Sequence, residues 1–244
     1  MTSKPPRGSS SSANEAVPTP LIGVGGGEFY DLCIGLGQHC ESTFQIRRIT
    51  GQESAHFFDW LEIDLEFVRV AIETDFRDVL RPGKISLTTD GGGALDFGAG
   101  IEFYHEFTAE ADGDLTLADI ESQLPAVREK YAFLATRWQE MASSSARVLY
   151  IRQDANGVES VSDICQLQDT IATRYPGHDF ALLWLRRSVP DDLDALPPGI
   201  AFREVALAPG RWQGDDEAWD GLFNSLPAET LWPHHRTPDS GCPG

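Results

Sequence analysis

The chain is short of basic residues and has no long apolar run. Its 244 residues include 19 Lys and Arg against 38 Asp and Glu, a formal net charge of −19 at pH 7. Nucleic acids and anionic membrane surfaces bind proteins through Lys and Arg that neutralise phosphate. No apolar stretch approaches the roughly 20 residues that a membrane-spanning helix needs. We therefore expect no nucleic-acid partner and no membrane partner.

Cysteine is scarce, and the first residues lack the apolar segment of a secretory signal. The four cysteines are Cys33, Cys40, Cys165 and Cys242. In a chain of this length without such a signal, they indicate reduced thiols in the cytosol, so we predict a cytoplasmic protein. Residues 1–28 are rich in Ser, Pro and Gly and hold few large apolar side chains. We predict that they form a flexible leader.

Apolar segments alternate with amphipathic ones along the rest of the chain. The apolar runs predict strands at residues 29–36, 147–153, 180–186 and 200–207. Apolar spacings of three and four predict helices at residues 40–49, 62–80, 116–142, 159–175 and 215–226. The glycine-rich residues 82–114 predict loops with short strands. This alternation favours one α/β domain over residues 29–233, a mostly parallel sheet with helices on both faces, followed by a loose tail at 234–244.

Cys40 is the cysteine whose surroundings best suit a reactive thiol. It follows the first predicted strand at the polar turn GLGQHC and begins the next predicted helix. Ligands in open parallel sheets gather at the carboxyl ends of the strands. The positive end of a helix lowers the pKa of a cysteine there, so we predict a nucleophile with a lowered pKa. Cys33 and Cys165 are expected to be packing residues, as most free cysteines are.

The same turn matches a dinucleotide-binding loop only in part. Gly35 and Gly37 fit the first two glycines of the G-x-G-x-x-G pattern, but Cys40 takes the place of the third. That third glycine allows a helix and a strand to pack closely, so its replacement weakens the match. A nucleotide-dependent enzyme is a weaker alternative. We predict no organic cofactor and no metal.

A cysteine nucleophile needs a base, usually histidine, and a third group that orients the imidazole ring. His56, in SAHFFDWL, and His105, in FYHEF, are both candidates, and the residues alone do not decide between them. Asp59 and Asp154 are the candidates for the orienting acid. Asp59 lies among aromatic residues, where a carboxylate must be paired. Asp154 follows an apolar strand and is expected at the same edge of the sheet as Cys40.

The order of these segments resembles that of a bacterial family of unknown function whose members are described as papain-like cysteine peptidases. The resemblance rests on DLCIGLGQHCESTFQIRRI, FFDWL, FYHEF and RVLYIR, and it covers about residues 30–155. It implies that Cys40 is the nucleophile and His105 the base. Asp59 and Trp60 match the family's Phe-Asp-Trp motif.

Two classes of function are compatible with these features. The first is a papain-like cysteine peptidase, or a related thiol hydrolase or acyltransferase, that acts on a peptide or another carbonyl substrate. The second is a non-catalytic accessory or ligand-binding module whose pocket is lined by Phe58, Trp60, Phe103 and Tyr104. The residues predict neither the substrate nor the oligomeric state.

Overall fold

The computed structural model describes residues 30–110, 113–191, 193, 196–205 and 210–226. Three features of the sequence lie outside these residues: the predicted leader at 1–28, the predicted tail at 234–244, and Cys242. The predictions that concern them therefore stay predictions.

Eight strands and five helices form the described part of the chain. The strands are β1 (Leu32–Gly35), β2 (Leu61–Ile63), β3 (Ile85–Leu87), β4 (Ala94–Asp96), β5 (Ile101–Phe103), β6 (Val148–Asp154), β7 (Phe180–Arg186) and β8 (Ile200–Glu204). The helices are α1 (Cys40–Thr50), α2 (Leu65–Glu73), α3 (Leu117–Ala142), α4 (Val161–Arg174) and α5 (Asp216–Asn224).

The long apolar strands form a parallel four-stranded sheet in the order β1-β6-β7-β8. Successive side chains of a strand point to opposite faces, so an apolar run needs cover on both. Leu149 and Ile151 of β6 pack in one apolar cluster with Trp219 of α5 and Ile46 of α1. Tyr150 packs in another, together with α2, α3 and α4. The predicted α/β domain with a parallel sheet covered on both faces is confirmed.

The short strands form a second sheet, which is antiparallel and has the order β2-β5-β4-β3. Each of these strands has three residues, too few for a visible alternation of apolar and polar side chains. The helix predicted at 62–80 is therefore wrong at both ends, because β2 takes its start and α2 ends at Glu73. The inner face of this sheet shares the apolar cluster of α2, α3 and α4.

A buried arginine joins the two sheets. The guanidinium of Arg152, on β6, donates to the backbone oxygen of Leu36 at 2.8 Å and to that of Ile63 at 3.1 Å. Leu36 follows β1 of the parallel sheet, and Ile63 ends β2 of the antiparallel sheet. The charge is balanced by Glu159, whose carboxylate lies 2.6 Å away and is also buried. Arg152 thus fixes how one sheet lies against the other.

Helix α3 is continuous despite its internal proline. Thr116 caps it through a reciprocal pair of hydrogen bonds with Asp119, which satisfies backbone N–H groups at the first turn. Pro125 lies inside the helix without ending it, and the predicted bounds differ from the observed ones by one residue at the start. In the part of the chain that the structure describes, no helix has the length and apolar character needed to cross a membrane.

Candidate active site

The turn between β1 and α1 places Cys40 at the first residue of the helix. His39 precedes the helix in an extended conformation, and its side chain makes no capping hydrogen bond. Gly37 has a φ of 72°, and a Cβ atom there would collide with the side chain of Ile63. A glycine is therefore required for the turn to pass so close to β2. Cys40 ends up half-buried at the edge of the parallel sheet.

His105 approaches Cys40 from the other sheet. It follows β5 by two residues, is exposed, and places its Nε2 atom 3.4 Å from the Cys40 sulfur. The structure thus brings together the two residues that the resemblance implies. His56, the other candidate, has a half-buried ring whose pKa is lowered, chiefly by burial, and its Nε2 atom has no hydrogen-bond partner among the described residues.

Trp60 contacts both members of this pair. Its backbone oxygen lies 4.0 Å from the Cys40 sulfur, and its ring meets the His105 ring edge to face at 5.7 Å between centroids. Trp60 has a φ of 62°, in the left-handed region that a bulky residue rarely adopts. Such a conformation costs of order 1–3 kcal/mol and persists only where the surrounding contacts impose it.

Asp59 binds an arginine and not the imidazole of His105. Its carboxylate is buried and accepts hydrogen bonds from Arg47 at 2.8 Å and from the backbone N–H of His56 at 3.0 Å. The Arg47 guanidinium also lies 5.6 Å from the centroid of the Trp60 ring. Asp59 therefore supports the conformation of Trp60, and the prediction that it orients the imidazole has no contact to support it.

Asp154 likewise has other partners. It is fully buried, and it accepts hydrogen bonds from the backbone N–H groups of Gly157, Val158 and Glu159 at 2.8–3.1 Å. The Nε atom of Arg186 lies 3.3 Å from the same carboxylate. Asp154 organises the turn after β6, and no described contact joins it to the imidazole near Cys40.

Burial and a neighbouring carboxylate keep the Cys40 thiol protonated. Burial, followed by the charge of Glu62, raises the pKa of Cys40 to about 11, although its own backbone N–H lowers it. The prediction of a lowered pKa is therefore wrong, because these two effects outweigh the helix end. The pair rests as a neutral thiol beside an imidazole, so the thiol must lose its proton before it can act as a nucleophile.

Glu62 is the site residue that sequence reasoning missed. It lies opposite Glu102 in the pairing of β2 with β5, and both are half-buried on the outer face of the antiparallel sheet. Tyr104 donates a hydrogen bond to Glu102 at 2.9 Å. Burial raises the pKa of Glu62, and the charge of His39 opposes that rise. Glu62 could be identified only from its position in β2, and this strand of three residues is too short to be predicted from the sequence.

The charge of Glu62 gives a first testable prediction. Glu62→Gln is expected to lower the pKa of Cys40, because it removes a negative charge that disfavours the thiolate. The measurement is the rate of Cys40 alkylation by iodoacetamide against pH, followed on the Cys40 peptide by mass spectrometry. Glu129→Gln, on the exposed side of α3, is the matched control. An identical midpoint in the Glu62 variant would contradict this account of the electrostatics.

The predicted binding pocket is only partly formed. Phe58 and Phe103 are fully buried in the core, so neither can line a pocket. Trp60 and Tyr104 are half-buried and keep part of their surface open. Trp212, which the sequence did not indicate, lies 6.3 Å from Trp60 between ring centroids. The aromatic surface near Cys40 therefore differs from the predicted one in two of its four members.

The other two described cysteines are packing residues, as expected. Cys33 is buried, and Cys165 packs against the core from α4. Burial raises the pKa of both thiols, as it does for Cys40, but no described contact joins either of them to a histidine. Among the described residues, no group of three or more His, Cys, Asp and Glu is placed to hold a metal.

A cysteine at the start of a helix, with an imidazole nitrogen within reach of its sulfur, is the side-chain pair of enzymes that use a thiol nucleophile. Residues 31–186 match a family described as "Putative papain-like cysteine peptidase". The match covers more than half of the chain, so the protein belongs to this family, and the resemblance is confirmed. None of the curated proteins and none of the solved structures compared with the chain matches it.

Proposed function

We propose that the protein is a cysteine-dependent hydrolase or acyltransferase, of the peptidase-like kind that its family description names. The observation that carries the proposal is the 3.4 Å separation between the Cys40 sulfur and the Nε2 atom of His105. Catalytic hydrogen bonds are often long in the absence of substrate, so this distance is compatible with proton transfer. The substrate class is a peptide or another compound with a reactive carbonyl.

The reaction begins with transfer of the thiol proton. His105 accepts the proton of Cys40, and the thiolate attacks the carbonyl carbon of the substrate to form a tetrahedral adduct. The imidazolium returns its proton to the leaving group as the adduct collapses to a thioester. Water, or another acceptor, then attacks the thioester with His105 again acting as the base, and the Cys40 thiol is regenerated.

The start of α1 supplies groups for the negatively charged oxygen of the adduct. His39, the residue that precedes this helix, makes no side-chain capping hydrogen bond, so the first-turn N–H groups are the candidates to bind an anion. Donors placed where charge develops stabilise a transition state most effectively. Asp59 and Arg47 support the site indirectly, through Trp60.

The location in the cytoplasm and the lack of nucleic-acid and membrane partners stay predictions.

The test uses p-nitrophenyl acetate, an activated ester that needs no specific recognition. We expect a burst of p-nitrophenolate equal to the amount of protein, with an acetyl group on the Cys40 peptide. Cys40→Ala should abolish the burst, and Cys165→Ala, which removes a half-buried thiol of α4, should retain it. A burst that survives in Cys40→Ala would refute the proposal.

A binding module is the second candidate, and one observation favours it. Trp212 is 50% exposed and contacts Trp60, whose ring meets His105. A surface that only binds a ligand would also need such an exposed aromatic ring. The same experiment separates the two functions. A binding module would give no acetylated Cys40, and Cys40→Ser would leave its ligand binding unchanged.

A further inference from the structure

We propose that Trp212 is a specificity-determining residue of this site, and that it contacts an uncharged aromatic side chain next to the attacked carbonyl. The inference rests on the proposed function, since it names a substrate class for the same nucleophile. Trp212 lies outside residues 31–186, the part of the chain that matches the family. The family match therefore does not include this residue.

Trp212 extends an aromatic surface that begins at the Cys40–His105 pair. The ring of Trp60 contacts His105 at 5.7 Å, and Trp212 contacts Trp60 at 6.3 Å and Phe44 at 5.4 Å, all between ring centroids. We call Trp60, Trp212 and Phe44 the aromatic wall. Trp212 meets both neighbours edge to face, at 64° to Trp60 and 71° to Phe44, and it remains 50% exposed. Its exposed indole can therefore take a further aromatic group.

Trp212 is far more exposed than the tryptophans of the core. Trp138, Trp184 and Trp219 are each at most 2% exposed, whereas Trp212 is 50% exposed. Burying a large apolar side chain normally stabilises a protein substantially, so an indole left in solvent forgoes that stabilisation. Phe133 is exposed to a similar degree, so it is the contact of Trp212 with Trp60, and not its exposure alone, that points to a substrate.

Trp212 is held in place by the helix that carries the nucleophile. The buried side chain of Gln45, on α1, donates to the backbone oxygen of Gln213 at 2.6 Å and to Asp216 at 2.8 Å. Gly214 has a φ of 81°, and a Cβ atom there would collide with Glu41, also on α1. The loop is thus fixed against α1, so the wall keeps its place relative to the nucleophile.

The charged groups at the wall are paired with one another, which leaves the exposed indole of Trp212 as the surface for a ligand. The Arg47 guanidinium already lies against Trp60, and Arg211 stands next to Trp212 in the chain. Both arginines are paired with carboxylates, so each pair is neutral and neither attracts nor repels a charged ligand. The carboxylate of Glu62 acts on the thiol from another side, so a lysine probe tests whether that charge, and not the wall, selects the substrate. An uncharged aromatic side chain can pack on the exposed indole of Trp212, and aromatic pairs are stabilised beyond their area burial.

The test compares three covalent probes that differ in one side chain: the chloromethyl ketones of N-acetylphenylalanine, N-acetylalanine and N-acetyllysine. Each alkylates the Cys40 sulfur with loss of chloride, and the rate is followed on the Cys40 peptide by mass spectrometry. We expect the phenylalanine probe to react fastest. Trp212→Ala should lower its rate relative to the alanine probe by about fivefold, the size expected of one aromatic pair.

Three controls make the result specific. Trp212→Phe should keep most of the preference, and Phe133→Ala, which removes an aromatic ring that is 60% exposed on α3, should leave it unchanged. The rate with iodoacetamide, which has no side chain, should be the same in Trp212→Ala, Trp212→Phe, Phe133→Ala and the wild type. The inference about Trp212 would be overturned if the ratio of the phenylalanine-probe rate to the alanine-probe rate were the same in the wild type and Trp212→Ala. A preference for the lysine probe would also overturn it. Neither result would contradict the proposed function. If none of the probes reacted faster with the wild type than with His105→Ala, the proposed function would be contradicted as well.

Discussion

His105→Ala is expected to slow the acetylation of Cys40 by p-nitrophenyl acetate by roughly 10²–10⁴-fold, the contribution of a positioned general base. The expectation follows from the raised pKa of Cys40, because a thiol with a pKa of about 11 holds little thiolate at neutral pH. The imidazole of His105, 3.4 Å from the sulfur, is the group placed to remove the proton. The measurement is the rate constant of the p-nitrophenolate burst near neutral pH.

His56→Ala is the matched control for that experiment. It removes the other candidate histidine, whose contact with Asp59 is made by the backbone and survives the substitution. We expect the burst in this variant to stay within a few-fold of the wild type. Equal losses in the two variants would mean that the loss is structural. No loss in His105→Ala would exclude this residue as the base.

Arg152→Met is expected to destabilise the fold by about 3–5 kcal/mol, the usual cost of leaving one member of a buried ion pair alone. The substitution strands the carboxylate of Glu159 and two backbone oxygens, one from each sheet, without their donors. The measurement is the free energy of unfolding from urea denaturation. Lys130→Met removes an exposed partner of Glu106 and should cost no more than about 1 kcal/mol.

The pH dependence of that loss provides a second check. Burial raises the pKa of Glu159, and Arg152 opposes the rise. Without Arg152, the pKa of Glu159 in the folded state lies further above its pKa in the unfolded state. The variant therefore loses stability as the pH rises from the unfolded-state pKa to the folded-state pKa. The deficit should shrink in acid, where the carboxyl is protonated in both states. Adding Glu159→Gln should recover part of the stability at neutral pH. A deficit independent of pH would contradict this explanation.

The parallel sheet can be predicted because its strands are long and apolar throughout. The predicted bounds of β7 are the observed ones, and those of β6 differ by one residue at each end. The antiparallel sheet cannot be predicted in the same way, since its three-residue strands are too short to show a pattern. Its pairing depends on contacts between residues far apart in the chain.

The residues of the candidate site also differ in whether the sequence predicts them. Cys40 is identified by its local turn, and His105 by the resemblance, because the residues alone leave His56 open. Glu62 and Trp212 reach the site only through tertiary structure, one from the outer face of a small sheet and one from a loop near the end of the described chain. The predicted direction of the Cys40 pKa is wrong because burial cannot be read from the local sequence.

The thiol and the imidazole belong to different sheets, and this has a consequence for how activity is lost. Cys40 follows a strand of the large parallel sheet, and His105 follows a strand of the small antiparallel one. Proteins open locally as well as globally, and a local opening costs less free energy than unfolding of the whole. Detachment of the small sheet would carry the base away while the nucleophile stayed in a folded environment. Activity would therefore be lost on any opening between the two sheets, before the core that they share unfolds.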